Sequence, residues 1–229
     1  MSLGVVVSRA DTLLDDPVVE ANHRIANSLS IIASLIHFQV EGLPADGTVP
    51  ATDVRNWLQE LEAKVETIAD LHRLLISSQK SEAIDLGAYL HRVVDAAKRS
   101  FTIGRRTVIS FDFKPTCAIL VKHAAAIGIF VSEAITNALK YSYPTEAMLK
   151  ICISMGSNTT VVIEIADNGP GLPTGLDPYT ARSTGLRLMR GIADQLSARL
   201  EFDQSRNGLT VRLELPHCVP PESVSALAA

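Results

Sequence analysis

The chain has 229 residues, 47% of them hydrophobic and 20% charged, with a net charge of −4. That composition supports a real core and is too apolar for a disordered chain. It carries no basic excess to neutralise a run of phosphates, which argues against nucleic acid, and its apolar runs fall short of the ~20 residues that a membrane helix needs. Cys117, Cys152 and Cys218 are far apart and odd in number, so they form neither a disulfide framework nor a metal cluster. The start, Met-Ser-Leu-Gly-Val-Val-Val, lacks the basic region and long apolar stretch of a signal peptide. The expectation is a cytoplasmic protein with reduced thiols and no membrane span.

The first region, residues 1–82, reads as two long helices, about Asp15 to Val40 and Thr52 to Gln79. Between them lies a break with two Gly and two Pro, Glu41 to Pro50. In the second helix Val54, Leu58, Leu61, Val65, Ile68, His72 and Leu75 follow at alternating steps of four and three. That is a heptad seam, with Leu71 able to share the place of His72. Val18, Asn22, Ile25, Leu29, Ile32 and Ile36 repeat the pattern in the first helix. Two such helices with a short connection predict an antiparallel hairpin. One hairpin buries too little alone, so two would pair into a four-helix bundle, a homodimer.

The second region, residues 83–217, mixes helical and strand patterns. Ile84 to Ser100 reads helical with Asp85 as N-cap, Thr107 to Phe113 as a strand, and Val121 to Tyr143 as a helix ending before Pro144. Ala147 to Met155 and Thr159 to Asp167 read as a hairpin, Ser183 to Ala198 as a helix, and Arg199 to Asp203 with Leu209 to Leu215 as a last strand pair. The late strands pair through tight turns, which predicts an α+β sandwich with a mixed sheet. Residues 218–229, rich in Pro and small residues, read as a loose tail.

Opposite the seam of the first helix, Glu20, His23, Asn27, Ser30, Ser34 and His37 form one polar stripe. An exposed helix face with an incidental histidine explains it blandly. The sharper reading is a nucleophilic imidazole at His23, with the Asn27 amide one turn later to orient water or a phosphoryl oxygen. His37 and His72 read as surface or packed histidines.

Three segments of the second region suit a nucleotide. Glu133, Asn137 and Lys140 share one helix face, and a carboxylate, an amide oxygen and an ammonium suit hydrated Mg²⁺ and its phosphates. The strand Ile163 to Asp167 ends in Asp167-Asn168-Gly169-Pro170-Gly171, where a carboxylate beside glycines suits an adenine amino group. Ser183-Thr184-Gly185-Leu186 opens a helix whose free N–H groups can hold phosphate. Thr174 to Arg182, between the last two, reads as a lid.

In this order and spacing the motifs resemble a sensor histidine kinase core over roughly residues 18–216. His23-Arg24 with Asn27 resembles the second dimerisation and phosphoacceptor class. The second region resembles the ATPase domain shared by gyrase, Hsp90, histidine kinases and MutL. The resemblance implies that His23 takes the γ-phosphoryl group of ATP and passes it to an aspartate on a response-regulator receiver domain. It implies Asn137 and Glu133 at Mg²⁺, Lys140 at phosphate, Asp167 at adenine, and Gly169, Gly171, Gly185 and Leu186 around nucleotide and lid. Many kinases place an acid after the histidine; here Arg24 stands there, leaving Glu20 as the candidate base. Ser183 replaces a glycine, and Gly208-Leu209-Thr210 stands where Gly-Thr is frequent. These departures keep an alternative open, an ATP-independent histidine phosphotransferase or response-regulator phosphatase on a degenerate scaffold. No sensor domain fits before residue 15, so input would come from a partner, or the chain is a piece of a longer kinase.

Overall fold

The computed structural model describes residues 17–43, 47–76, 83–101, 106–113, 117–141, 146–155, 160–204 and 208–216. Two long helices come first, α1 (Pro17–Glu41) and α2 (Ala51–Ile76). Pro17 suits the first helical position, where its missing N–H costs nothing. Asp53 sits in the first turn of α2, where a carboxylate complements the helix dipole. The residues expected as a loose tail, 218–229, lie outside the described residues.

The remaining elements are β1 (Ala83–Asp85), α3 (Leu86–Phe101), β2 (Arg106–Phe113), β3 (Ala118–Leu120), α4 (Val121–Tyr141), β4 (Glu146–Met155), β5 (Val161–Asp167), α5 (Thr184–Gln195), β6 (Arg199–Asp203) and β7 (Thr210–Leu215). The Asp85 carboxylate accepts the Ala88 N–H at 2.6 Å, so it caps α3 as expected. Five strands form one sheet in the order β2-β4-β5-β7-β6. β2 runs parallel to β4 and the other pairs are antiparallel, the mixed sheet that the tight turns implied. The antiparallel pair β1 and β3 went unread in the sequence. Three residues each are too few for alternation to show.

Alternate residues of the sheet, Leu149, Ile151 and Ile153 on β4, Ile163 and Ile165 on β5, and Val211, Leu213 and Leu215 on β7, are buried in one core with the helices. α4 lies at the centre. From Ala124 to Ile135 every residue of it is buried. A helix buried all round needs cover on every side. The sheet, α3 and α5 supply part of it, and the hairpin adds to it: Ile31 and Leu35 of α1 and Ile68, Leu71 and Leu75 of α2 join the same core.

The expected seam is therefore shared between two tasks. Ile68 and Leu75 are buried in the core around α4, and Leu71, 1% exposed, takes the place that His72 leaves. Ile25, Leu29, Ile36, Val54 and Leu58 remain exposed, Leu29 and Leu58 by about 60%. On α1 this open stripe lies about 120° around the helix from Ile31 and Leu35.

Candidate functional site

Glu133 and Asn137 stand one turn apart on α4, and the first turn of α5 comes down on them. A β-carbon on Gly185 would sit 3.0 Å from Glu133 Oε2 and 3.4 Å from Asn137 Nδ2. Only glycine leaves that approach open. Ser183 makes no side-chain hydrogen bond to the α5 N-terminus, so it does not occupy the N–H groups of the first turn. The Ser183 backbone is extended, φ −60° and ψ 138°, a conformation open to any residue. The loss of a glycine there carries no backbone cost. Leu186 is buried behind this turn.

The donor set fits Mg²⁺. One carboxylate and one amide oxygen are hard ligands, and Mg²⁺ bound with a nucleotide takes one or two protein oxygens and fills its shell with phosphate and water. Among the described residues no cluster of three or more His, Cys, Asp or Glu forms a separate metal site.

Asp167 ends β5 beside β7. Its Oδ1 accepts the Gly169 N–H at 2.7 Å and the Leu209 N–H at 3.2 Å. The carboxylate is thereby oriented by two backbone donors. Asn168 accepts the Met148 N–H at 2.9 Å, which ties the glycine segment to β4. Gly171 has φ +76°, and a β-carbon there would meet Gln204 Oε1 at 2.8 Å. That Gln204 oxygen also accepts the Leu172 N–H at 2.9 Å. Leu209, a departure at the sequence level, contributes its backbone N–H rather than its side chain.

The segment expected as a lid is folded and tethered. Asp177 accepts from the Tyr179 N–H and the Thr180 hydroxyl, both at 2.9 Å. Arg190 of α5 donates to the carbonyls of Pro178 (2.5 Å) and Ala181 (2.7 Å). The Tyr179 ring meets Phe202 edge-on at 5.5 Å.

Two neighbours of the site come from the hairpin and were not foreseen. Lys64 of α2 pairs with Glu133, with side chains 17% and 8% exposed. Glu60, one turn before, pairs with Lys140 at 3.1 Å. The Glu60 carboxylate, above all, holds the Lys140 ammonium above its usual pKa. A signal was present, since Glu60 and Lys64 are an i, i+4 pair of opposite charge, but such pairs ordinarily stay on their own helix.

The polar stripe of α1 divides. His23 and Glu20 lie on α1, but their side chains are outside the described residues. Asn27 is half-buried. Ser30 and Ser34 donate back to the carbonyls of Ala26 and Ser30, both at 2.9 Å, and they line a small pocket with Leu188, Gly191 and Gln195 of α5. His37 is a surface residue paired with Glu41 at 3.2 Å. Glu41 also pairs with Arg187 of α5, whose guanidinium stacks 4.1 Å from the Phe38 ring. His23 lies about five turns, roughly 27 Å, up α1 from this contact.

Fold and donor set together suit a sandwich-type nucleotide domain with a helical hairpin on its central helix. Residues 20–101 match the family model described as histidine kinase, and residues 123–218 match that of the histidine kinase-, DNA gyrase B-, and HSP90-like ATPase. The chain belongs to the histidine kinases.

A blue-light-activated histidine kinase 2 of Erythrobacter litoralis is 28% identical over 212 residues, 90% of this chain and 58% of that protein. The sensor histidine kinase PdtaS of Mycobacterium tuberculosis is 26% identical over 92% of this chain and 42% of its own length. The chain thus spans about half the length of the curated relatives it matches. Among solved structures, the blue-light activated histidine kinase EL346 of Erythrobacter litoralis superposes with a TM-score of 0.62 at 25% identity, covering 87% of this chain and 58% of that one. Its isolated kinase domain gives 0.58 at 21% identity, covering 83% and 94%. No helix of the described residues is long and apolar enough to cross a membrane.

Proposed function

We propose that the chain is the core of a two-component sensor kinase, which phosphorylates His23 from Mg²⁺·ATP and hands the phosphoryl group to an aspartate of a response-regulator receiver domain. The observation that carries the reading is the convergence of Gly185 on Glu133 and Asn137. It sets the α5 N-terminus, a place for phosphate, against the residues suited to a metal. Residues 1–82 form the phosphotransfer hairpin in this reading and residues 83–217 the ATP-binding domain.

Asn137 and Glu133 would hold the Mg²⁺, and Lys140 would contact phosphate. Asp167, held by Gly169 and Leu209, accepts from the adenine amino group. Gly169, Gly171 and Gly185 let nucleotide and backbone approach. Bound Mg²⁺ supplies neutralisation of the phosphate charge that grows toward the transition state. The His23 ring nitrogen attacks the γ-phosphorus as the bond to the bridging oxygen of ADP breaks, and Glu20 accepts the ring proton. Asn27, one turn along, positions the phosphoryl oxygen or a hydrolytic water, which gives the same hairpin a phosphatase capacity. Two copies pair through the open stripe of Ile25, Leu29, Ile36, Val54 and Leu58, an apolar surface that a second hairpin would cover.

The test is incubation with Mg²⁺ and γ-labelled ATP beside His23→Ala. Acid-labile, alkali-stable label on the wild type alone is the expected result. Equal label on the variant removes His23 as acceptor. Absence of label from a folded dimer moves the assignment to the ATP-independent phosphotransfer or phosphatase reading.

A further inference from the structure

Two of the site residues assigned to Mg²⁺ and phosphate are already engaged by the chain itself. Glu133, assigned to the metal, holds the Lys64 ammonium. Lys140, assigned to phosphate, holds the Glu60 carboxylate. Both partners come from one turn of α2, and their signs match what the site would bind, a cation at Glu133 and an anion at Lys140. We propose that Glu60 and Lys64 form an intramolecular mimic of the metal–phosphate pair, so that the docked hairpin competes with Mg²⁺·ATP and holds the kinase off. The proposal rests on the nucleotide reading of the site above.

Three features support it. The Lys64–Glu133 pair is largely screened from water, so its attraction is felt more strongly than that of a surface pair. The pairs are backed by apolar docking, with Leu71 packed where α4 carries Gly128 instead of a side chain. The docked arrangement also leaves His23 roughly 10 Å along α1 from Ser30, where α1 still meets α5, whereas a transfer geometry brings reacting atoms to about 3–3.5 Å. In this proposal the hairpin undocks before phosphorylation, and the same movement withdraws Glu60 and Lys64.

A ligand that needs a minor undocked state binds with its affinity reduced by the fraction undocked. Removing the mimic restores it. The experiment is calorimetric titration of Mg²⁺ with the non-hydrolysable analogue AMP-PNP into the full chain, for the wild type, Glu60→Gln, Lys64→Met and the double variant. Trp57, the only tryptophan, shares the α2 face of Glu60 and Lys64 and reports release of that face through iodide quenching. The expected result is a dissociation constant about tenfold lower in the double variant than in the wild type. Nucleotide should also raise Trp57 quenching in the wild type, and quenching should start high in the variant. Glu60→Gln changes only a half-exposed pair, leaves the fold intact and should give part of the gain even if Lys64→Met destabilises the protein. Equal affinities across folded variants, with Trp57 indifferent to nucleotide, overturn the mimic and leave the nucleotide site standing. No binding in any folded variant overturns the site and the mimic together.

Discussion

Gly208 presses against the end of β5 so closely that a β-carbon on it would lie inside the contact radius of the Asp167 carbonyl oxygen. Its φ of +106° is one that side chains rarely adopt. The glycine thus lets the chain entering β7 reach the Asp167 backbone, and it sets up the Leu209 N–H that orients the carboxylate. Gly208→Ala should cost at least about 1–2 kcal/mol from the backbone conformation alone, with more from the clash. Urea denaturation reads the loss, and nucleotide affinity should fall with it.

Asp167→Asn tests the same corner without disturbing it. The remaining oxygen still accepts from Gly169 and Leu209, while an NH₂ replaces the free carboxylate oxygen. A donor then faces the adenine amino group. ATP affinity should fall by about 10- to 100-fold, the worth of a hydrogen bond to a charged group, with the melting profile nearly unchanged. Calorimetry and circular dichroism together separate the two effects.

The Arg190 guanidinium spans two carbonyls of the segment that leads into Gly185. Arg190→Ala should free that segment, giving faster tryptic cleavage at Arg182 and about a tenfold weaker hold on ATP. Arg190→Lys should recover little, because one ammonium cannot reproduce a planar fork across two acceptors.

Gly128 and Tyr89 are coupled. The Tyr89 hydroxyl donates to the Ala124 carbonyl at 2.8 Å inside the core, where burial drives its pKa well up. A β-carbon on Gly128 would collide with that hydroxyl. Tyr89→Phe should cost about 1 kcal/mol. Gly128→Ala should cost about 1–3 kcal/mol by overpacking. The double variant should lose less than the two combined, by about 0.5 kcal/mol or more, because the phenylalanine ring has no oxygen to clash. A denaturation cycle measures this.

His123, half-buried at the start of α4, has its pKa lowered by burial and then by the neighbouring Lys122 charge. A group whose folded pKa lies below its unfolded value stabilises the fold at higher pH and loses that contribution as pH falls through the depressed value. Denaturation midpoints should therefore drop as pH falls below 6.5, and His123→Gln should flatten the drop.

Much of this was legible in residue patterns. The hairpin, the paired late strands and the Asp85 cap each left a local signal, because alternation, glycine turns and capping carboxylates act within a few residues. The glycine segment at Asp167 was legible for the same reason. What the hairpin does was not. Leu71 reads as a seam residue, yet it packs against Gly128, and nothing within α2 says that its partner is α4. Glu60 and Lys64 look like an ordinary surface pair until the fold brings them to Lys140 and Glu133. Contacts over 69 and 80 positions leave no periodic trace.

The open stripe of Ile25, Leu29 and Ile36 lies about a third of a turn of α1 away from the residues that meet α4. Assembly and self-restraint then occupy different sides of one rod. Two copies can join without either letting go of its own catalytic half, so diluting or concentrating the protein would not throw the switch. An upstream signal would have to twist or tilt the rod itself, peeling Lys64 from Glu133 while the pairing of the two copies endures.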